Sequence, residues 1–170
     1  MGFEKLIDLI IKFFGELKPI VFIMQYEEAV VFRGGEFLKV MKPGWHLRVP
    51  FVDEIQADNV KNATICIREV NVTTADSKTI SIAAKFNCEI ADIHKAKVLI
   101  NDWKANIVDT GRGIMSRELI KYTWNEICNS DVDCKIGQLI EEKAELMGIR
   151  IWDFNFIDKL IIRGFKLFNA

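Results

Sequence analysis

The sequence is poor in the residues that build catalytic and metal sites. Its 170 residues include two histidines, His46 and His94, and four cysteines that form no CxxC pair. A zinc site needs about four nitrogen or sulfur ligands at close spacing, and that pattern is missing. No P-loop or Rossmann glycine string occurs, and no serine or cysteine stands in the motif context of a histidine base. The composition therefore predicts no metal, no cofactor and no catalytic residue.

Charge of one sign is also missing. The chain carries 23 Lys and Arg against 24 Asp and Glu, a formal net charge of −1, with no block of like charges. Nucleic-acid binding requires a clustered basic surface, so that class of partner is excluded. Half of the residues are hydrophobic, including twelve Phe and four Trp, which is enough to bury a core. Cys88, on the apolar phase of a strand, is predicted to be a reduced core residue.

The N-terminal segment, residues 1–24, lacks an uninterrupted apolar run. Six charged residues and Pro19 interrupt residues 3–24, whereas a membrane-spanning helix needs about 20 mostly apolar residues. On a helical wheel the apolar arc spans roughly 200°, wider than the stripe of an ordinary surface helix. We expect a helix that ends before Pro19 and lies in a membrane interface, with packing on the protein's own sheet as the alternative.

The residues of this segment that we predict to contact the membrane belong to the helix and to the apolar run after it. They are Phe3, Leu6, Ile7, Leu9, Ile10, Ile11, Phe13, Phe14, Leu17, Ile20, Val21 and Phe22.

Residues 25–91 are predicted to be rich in β-strands. The runs EEAVVFR (27–33) and EFLKVM (36–41) are typical of two strands joined by a tight turn at Gly34-Gly35. The segment at 60–72 predicts a further strand, and TISIAAKFNCEI (79–90) alternates strictly between apolar and polar residues, as a half-buried antiparallel strand does.

Residues 92–170 change to a helical period. We expect a short helix over 92–101 with Asp92 as its N-cap, a helix over 103–127, and a helix over 133–147 that ends at Gly148. IRIWDFNFI (149–157) is typical of a closing strand. Strands first, helices later and one returning strand predict an α+β fold.

Several motifs follow one another in a specific order. They are YEEAVVFRGGEFLKVMKPGWHLRVPFVDEI, TADSKTISIAAKFNCEI, DTGRGIMSRELIKYTWNEI and ELMGIRIWDFNFIDKLIIRGFKLF. Together they resemble the SPFH domain, also called band 7, of stomatins, prohibitins and flotillins, over about residues 20–168. The positions that match the family motif are Tyr26, Glu27, Arg33, Gly35, Pro43, Gly44, His46, Pro50, Asp53 and Asp76. The sequence departs from the family pattern at Gly34, at Lys42 before Pro43, and at Ser77, where the family's turn has Gly.

The resemblance implies an SPFH fold preceded by an amphipathic membrane helix. It also implies that the string KPGWHLRVPF (42–51) shapes a strand crossing close to the membrane. Trp45 then places its polar edge near lipid headgroups, or alternatively packs against the sheet. His46, with no catalytic partner in the sequence, is expected to make a hydrogen bond within the turn.

The function that the resemblance implies is that of a non-enzymatic scaffold that assembles into a ring or cage and organises lipids and proteins as a membrane microdomain. Its partners would be membrane lipids and further copies of itself, with no nucleic acid. Self-association contacts would involve aromatic residues between 152 and 168, for which core packing is the alternative. The protein would be peripheral or monotopic, at the inner (cytoplasmic) membrane of a bacterium or of an infected host.

A second function is kept open. The long charged helix that follows the domain in stomatins, prohibitins and flotillins is expected to be lacking in this short version of the domain. The alternative is therefore an adaptor or regulator of a membrane-bound ATP-dependent protease, or of longer SPFH assemblies.

Overall fold

The computed structural model describes residue 7, residues 19–129 and residues 131–162. The chain forms two compact units, Met1–Val60 and Lys61–Ala170. Strands come first, helices follow and a last strand returns to the sheet of the second unit, which confirms the predicted α+β fold. The sequence analysis separates a strand-rich part, residues 25–91, from a helical part, residues 92–170. That boundary falls inside the second unit. The helix predicted within residues 1–24 lies outside the described residues, except for Ile7.

The described part of the first unit contains five strands. Their bounds are β1 (Ile20–Ile23), β2 (Glu27–Arg33), β3 (Glu36–Met41), β4 (Gly44–Leu47) and β5 (Asp53–Asn59). Strand β2 is the centre of an antiparallel sheet with β3 and β5, while β1 and β4 form a separate two-stranded ribbon. The bounds of β2 and β3 are those that the sequence predicts. Strand β5 was not predicted, because its sequence DEIQADN is mostly polar and reads as a loop.

The hairpin between β2 and β3 depends on two glycines. Gly34 and Gly35 have φ values of +62° and +88°, and they separate the paired residues Arg33 and Glu36. A two-residue hairpin loop with both central residues at positive φ matches the right-handed twist of the strands. The predicted tight turn is thus confirmed.

The second unit contains a three-stranded antiparallel sheet and its helices. The strands are β6 (Ala63–Thr73), β7 (Thr79–Ile90) and β8 (Ile149–Ile161), in the order β6-β7-β8. The helices are a short π-helical segment α1 (Lys95–Leu99), α2 (Trp103–Leu119), α3 (Trp124–Asn129) and α4 (Val132–Leu146). The central strand β7 has the predicted bounds.

The apolar face of β7 forms the core of this unit. Side chains at alternate positions from Ile80 to Cys88 are fully buried, and Phe86 stacks on Phe154 of β8 with ring centroids 6.5 Å apart. Burial raises the pKa of the Cys88 thiol to about 11, since a thiolate is poorly solvated there. Cys88 is therefore the core residue that the sequence predicts.

The helical half differs from the prediction in two places. The single helix predicted over 103–127 is two helices, because α2 ends at Leu119 and α3 begins at Trp124. Thr123 begins α3 as a capping box. Its N–H and hydroxyl donate to the Glu126 carboxylate, both at 2.8 Å, and the Glu126 N–H donates back to the Thr123 hydroxyl at 3.4 Å. The closing strand reaches Ile161 rather than residue 157, because β8 pairs with the whole length of β7.

The two caps predicted for this half are present. The Asp92 carboxylate accepts from the N–H groups of His94 and Lys95 at 3.0 and 3.2 Å. Gly148, directly after α4, has a φ of +76°, and its carbonyl accepts from the N–H groups of Ala91 and Asp92 at 2.9 Å. These contacts join the end of α4 to the start of α1.

Candidate membrane-contact surface

One face of the β1–β4 ribbon consists of large, exposed apolar side chains. Ile20 pairs with Leu47 and Phe22 pairs with Trp45, so all four project from the same face. Trp45 and Leu47 are each 75% exposed, while Ile20 and Phe22 are each 54% exposed. The rings of Phe22 and Trp45 meet with centroids 5.0 Å apart. We call these four residues the apolar ribbon face.

The opposite face of the same ribbon packs into the first unit. Ile23 is buried in a cluster with Ala29, Val31 and Met41, and Val21 packs against that cluster. Because successive side chains of a strand point to opposite sides, β1 contributes alternate residues to the core and to the surface. Val21, which the sequence analysis placed among the membrane-contacting residues, therefore lies on the core side of the ribbon. Ile20 and Phe22 lie on the exposed side.

The loop that follows β4 also exposes apolar side chains. Within residues 48–52, which we call the Phe51 loop, Val49 and Val52 are about half exposed and Phe51 is 85% exposed. Phe51 has a φ of +66°, a left-handed conformation that is unfavourable for a bulky side chain. A backbone hydrogen bond spans this position, because the N–H of Asp53 donates to the Val49 carbonyl at 3.0 Å.

A buried carboxylate holds this loop in place. The Asp53 side chain is 2% exposed and pairs with the Arg33 guanidinium, through Nε to Oδ1 at 2.7 Å and Nη2 to Oδ2 at 3.0 Å. It also accepts from the N–H of Val49 at 2.7 Å. The hydrogen bonds from Arg33 and then from Val49 lower the pKa of Asp53 to about 2, because each favours the charged form. Two positions of the family motif thus fix the loop that displays Phe51.

The sequence predicts only part of this surface. Trp45, Leu47, Val49 and Phe51 recur at every second position within the string KPGWHLRVPF, and all four are exposed. That period of two is typical of a strand with one exposed apolar face, whereas the prolines and glycine of the string indicate only the shape of the backbone. Ile20 and Phe22 are among the residues predicted to contact the membrane, but the sequence does not separate them from Val21.

His46 has the turn contact that the sequence predicts. Its Nε2 lies 2.6 Å from the carbonyl oxygen of Lys42, and since a carbonyl only accepts, the ring nitrogen donates. Gly44, between them, has a φ of +133°, which favours glycine. Together with Pro43, these residues turn the chain from β3 into β4.

The last motif position, Asp76, joins two segments of the second unit. Its carboxylate accepts from the Thr74 hydroxyl at 2.5 Å and from the N–H of Trp124 at 3.2 Å, and it pairs with Lys78 at 2.8 Å. The bonds from Lys78 and Thr74 hold the pKa of this carboxyl well below its usual range. Asp76 therefore ties the turn between β6 and β7 to the start of α3.

Two further observations concern what the described residues lack. Within residues 19–129 and 131–162, no three metal-ligating side chains come together. No helix among the described residues is long and apolar enough to cross a membrane. The predicted membrane-contacting residues from Phe3 to Leu17 lie outside the described part of the chain, except Ile7, which is 43% exposed.

The strand order, the closing strand and the braced loop define a domain of the SPFH type. A family model for the SPFH domain / Band 7 family matches residues 21–162, and the chain belongs to this family.

The relatives of the chain include archaeal and mitochondrial proteins. An uncharacterized protein of Methanocaldococcus jannaschii is 23% identical over 84% of this chain and 72% of its own length. Human stomatin-like protein 2, mitochondrial, is 25% identical over 82% of this chain. The chain spans only 40% of that human protein, and 55% of an uncharacterized Archaeoglobus fulgidus protein that is 22% identical.

Proposed function

We propose that the protein is a non-enzymatic, stomatin-like scaffold that contacts a lipid bilayer through the apolar ribbon face and the Phe51 loop. The observation that supports this proposal is the apolar ribbon face. Soluble monomers rarely expose large contiguous apolar patches, and those that occur mark interaction sites. Here four large side chains project from one two-stranded ribbon, and Val49, Phe51 and Val52 extend the surface.

The chemistry of the surface suits the bilayer interface. Trp combines an apolar ring with an N–H donor and is enriched at the level of the headgroups. Lys42 precedes β4 and Arg48 follows it, so cationic side chains flank the apolar strand. This pattern favours a shallow contact in which apolar side chains reach the acyl boundary and the charges stay among the headgroups.

The energy of this contact is moderate for one subunit. Burying a large apolar side chain is worth about 1.5–3 kcal/mol, and the seven residues of this surface are already partly covered. A total of roughly 5–8 kcal/mol corresponds to weak, reversible binding by one copy. Side-by-side assembly into a ring or belt would multiply the anchors and strengthen the attachment.

The experiment replaces two residues of the ribbon face. Trp45→Thr combined with Leu47→Thr keeps β-forming residues in β4 and removes its apolar surface. We expect binding to phosphatidylcholine vesicles, measured by co-sedimentation, to fall by roughly ten- to a hundred-fold. The matched control is Ile157→Thr with Leu160→Thr, two exposed apolar residues of β8, which should retain binding. Equal losses in both variants would contradict the proposed surface.

Assembly and the role of residues 1–18 need a separate measurement. We expect the chain extracted from bacterial membranes in mild detergent to form uniform rings or domes, visible by negative-stain imaging and heavy in size exclusion. A small soluble particle, unchanged when residues 1–18 are removed, would contradict the scaffold. Stoichiometric co-purification of a membrane-bound ATP-dependent protease with such a small particle would instead support the adaptor function.

A further inference from the structure

Phe51 combines two properties that a folded chain usually avoids. Its φ of +66° lies in the left-handed region, where a residue with a Cβ is strained and glycine is favoured. Phe51 is also 85% exposed, so burial of its ring does not offset the strain. A conformation of this kind persists only where the surrounding structure fixes it, and such positions concentrate at functional sites. Phe51 is therefore a candidate for a role in binding.

Contacts on both sides of Phe51 fix its conformation. The N–H groups of Val52 and Asp53 both donate to the Val49 carbonyl, at 3.4 and 3.0 Å. The buried Asp53 carboxylate accepts from the N–H of Val49 at 2.7 Å, and the Arg33 guanidinium holds that carboxylate in turn. These bonds restrain the backbone of the loop and leave Phe51 exposed.

The ring of Phe51 differs chemically from that of Trp45. The indole of Trp45 has an N–H that can bond to headgroups or water, whereas a phenyl ring has no polar atom. Trp45 is thus suited to the level of the headgroups, but Phe51 gains free energy only where its ring leaves water for the acyl chains. Phe51 lies four residues after Leu47, a distance of at most about 14 Å, so both residues can reach the same bilayer.

The charges around the loop favour neither anionic nor cationic lipids. Residues 42–54 contain two cationic side chains, Lys42 and Arg48, and two anionic ones, Asp53 and Glu54. Interfacial binding depends on the apolar area that is buried and on attraction to anionic lipids. A balanced set of charges contributes little to that attraction. The insertion of apolar side chains should therefore decide which bilayers are bound.

A ring on a restrained backbone needs an opening between the headgroups to reach the acyl chains. Such openings are more frequent where a bilayer is strongly curved, and interfacial segments that sense lipid packing depend on them. We propose that Phe51 makes the membrane contact selective for loosely packed, strongly curved bilayers. The proposal rests on the proposed function, because it assigns a preference for lipid packing to the same membrane surface.

The test compares small sonicated vesicles with large extruded vesicles of the same phosphatidylcholine, by flotation on a density gradient. We expect the original chain to bind the small vesicles several-fold more tightly. Phe51→Gly should lower binding to the small vesicles by roughly ten-fold and remove most of the preference. Phe51→Leu, which keeps an apolar side chain, should retain most of both.

The stability of the Phe51→Gly chain separates a binding role from a structural one. Its midpoint of urea denaturation should rise, because glycine carries no Cβ penalty at positive φ, whereas loss of a structural residue would lower it. The matched control is Ser77→Gly, which relieves a φ of +60° in the second unit. This control should also raise the midpoint but leave vesicle binding unchanged.

The outcomes distinguish this inference from the proposed function. Equal binding of the original chain to small and large vesicles, or an unaltered preference in Phe51→Gly, would overturn the inference and leave the proposed membrane contact in place. A lower urea midpoint in Phe51→Gly would assign Phe51 to the fold and would also overturn it. If the original chain bound neither kind of vesicle, the inference and the proposed membrane contact would be overturned together.

Discussion

At the scale of single residues, the motif positions act mainly on the backbone. Asp53 holds the Phe51 loop through Arg33 and Val49, and Asp76 holds the turn after β6 against Trp124. Neither carboxylate stands beside a nucleophile or a metal ligand in the contacts described above. Sequence matching identified both positions, but their roles depend on partners distant along the chain and could not be predicted from spacing.

The Asp53 ion pair predicts a specific acid sensitivity. Its folded pKa of about 2 lies below the ordinary 3.8, so the carboxylate stabilises the folded state at pH values above about 4. That contribution should be lost as the pH falls from about 4 to about 2, because the unfolded carboxyl group binds a proton more readily than the folded one does over this range. Urea denaturation across this range should show a weaker pH dependence in Asp53→Asn than in the original chain.

The comparison has an internal control. Arg33→Met should remove much of the same acid-dependent stability, because it deletes the main cause of the lowered pKa of Asp53. The dependence that remains in either variant belongs to other carboxylates, including Asp76 and Glu126, whose pKa values are also lowered. An Asp53→Asn chain whose free energy of unfolding keeps the original pH dependence between about pH 4 and pH 2 would contradict this role of Asp53.

Ser77 predicts an increase in stability on substitution. It is exposed, with a φ of +60°, at the turn position where the family has Gly. Ser77→Gly should raise the free energy of unfolding by about 0.5–1 kcal/mol, because glycine has no Cβ penalty in the left-handed region. Ser116→Gly, within α2, should instead lower the free energy of unfolding by about 0.5 kcal/mol. Thermal melts of the two variants should therefore shift in opposite directions.

At the scale of elements, local patterns predicted most strands and failed where pairing is non-local. The bounds of β2, β3 and β7 follow from turns and alternation. The ribbon was missed because β1 and β4 are four residues each and become a unit only by pairing across the intervening hairpin. The division of the predicted 103–127 helix was missed because the break contains neither Pro nor Gly, and its signal was the Thr123–Glu126 pair.

Gly148 predicts a large loss of stability at the junction of α4 and β8. A Cβ at this position would lie 2.5 Å from the Asp92 carbonyl oxygen, and the positive φ disfavours any side chain. Gly148→Ala should lower the free energy of unfolding by about 2–4 kcal/mol. Gly113→Ala, in α2 with nothing within 4 Å of the added Cβ, should raise it by about 0.5–1 kcal/mol. Chemical denaturation of both variants checks the contrast.

At the scale of the whole molecule, the surface that supports the proposed function belongs to one unit. The first unit contains both the apolar ribbon face and the Phe51 loop. The fold could be predicted from motif order, whereas the surfaces depend on which side chains each sheet leaves exposed.

If assembly links the membrane anchors, weakening each anchor should matter more in an assembly than in a single copy. The Trp45→Thr, Leu47→Thr chain should lose a greater factor in vesicle affinity at concentrations where it assembles than at dilution, because the losses multiply across linked subunits. Fluorescence correlation on labelled chains over a concentration series measures this. An identical loss factor at every concentration would argue against linked binding.

Because side chains alternate along β1, four consecutive codons encode both a part of the interior and a part of the exposed surface. Val21 and Ile23 specify the interior, and Ile20 and Phe22 specify the outer surface, in interleaved codons. Substitutions at Ile20 and Phe22 can therefore change the exposed face without disturbing the interior. An in-frame deletion of one codon ahead of β1 that shifts its pairing with β4 by one residue would exchange the buried and the exposed set. This stretch should therefore tolerate substitutions far better than insertions or deletions.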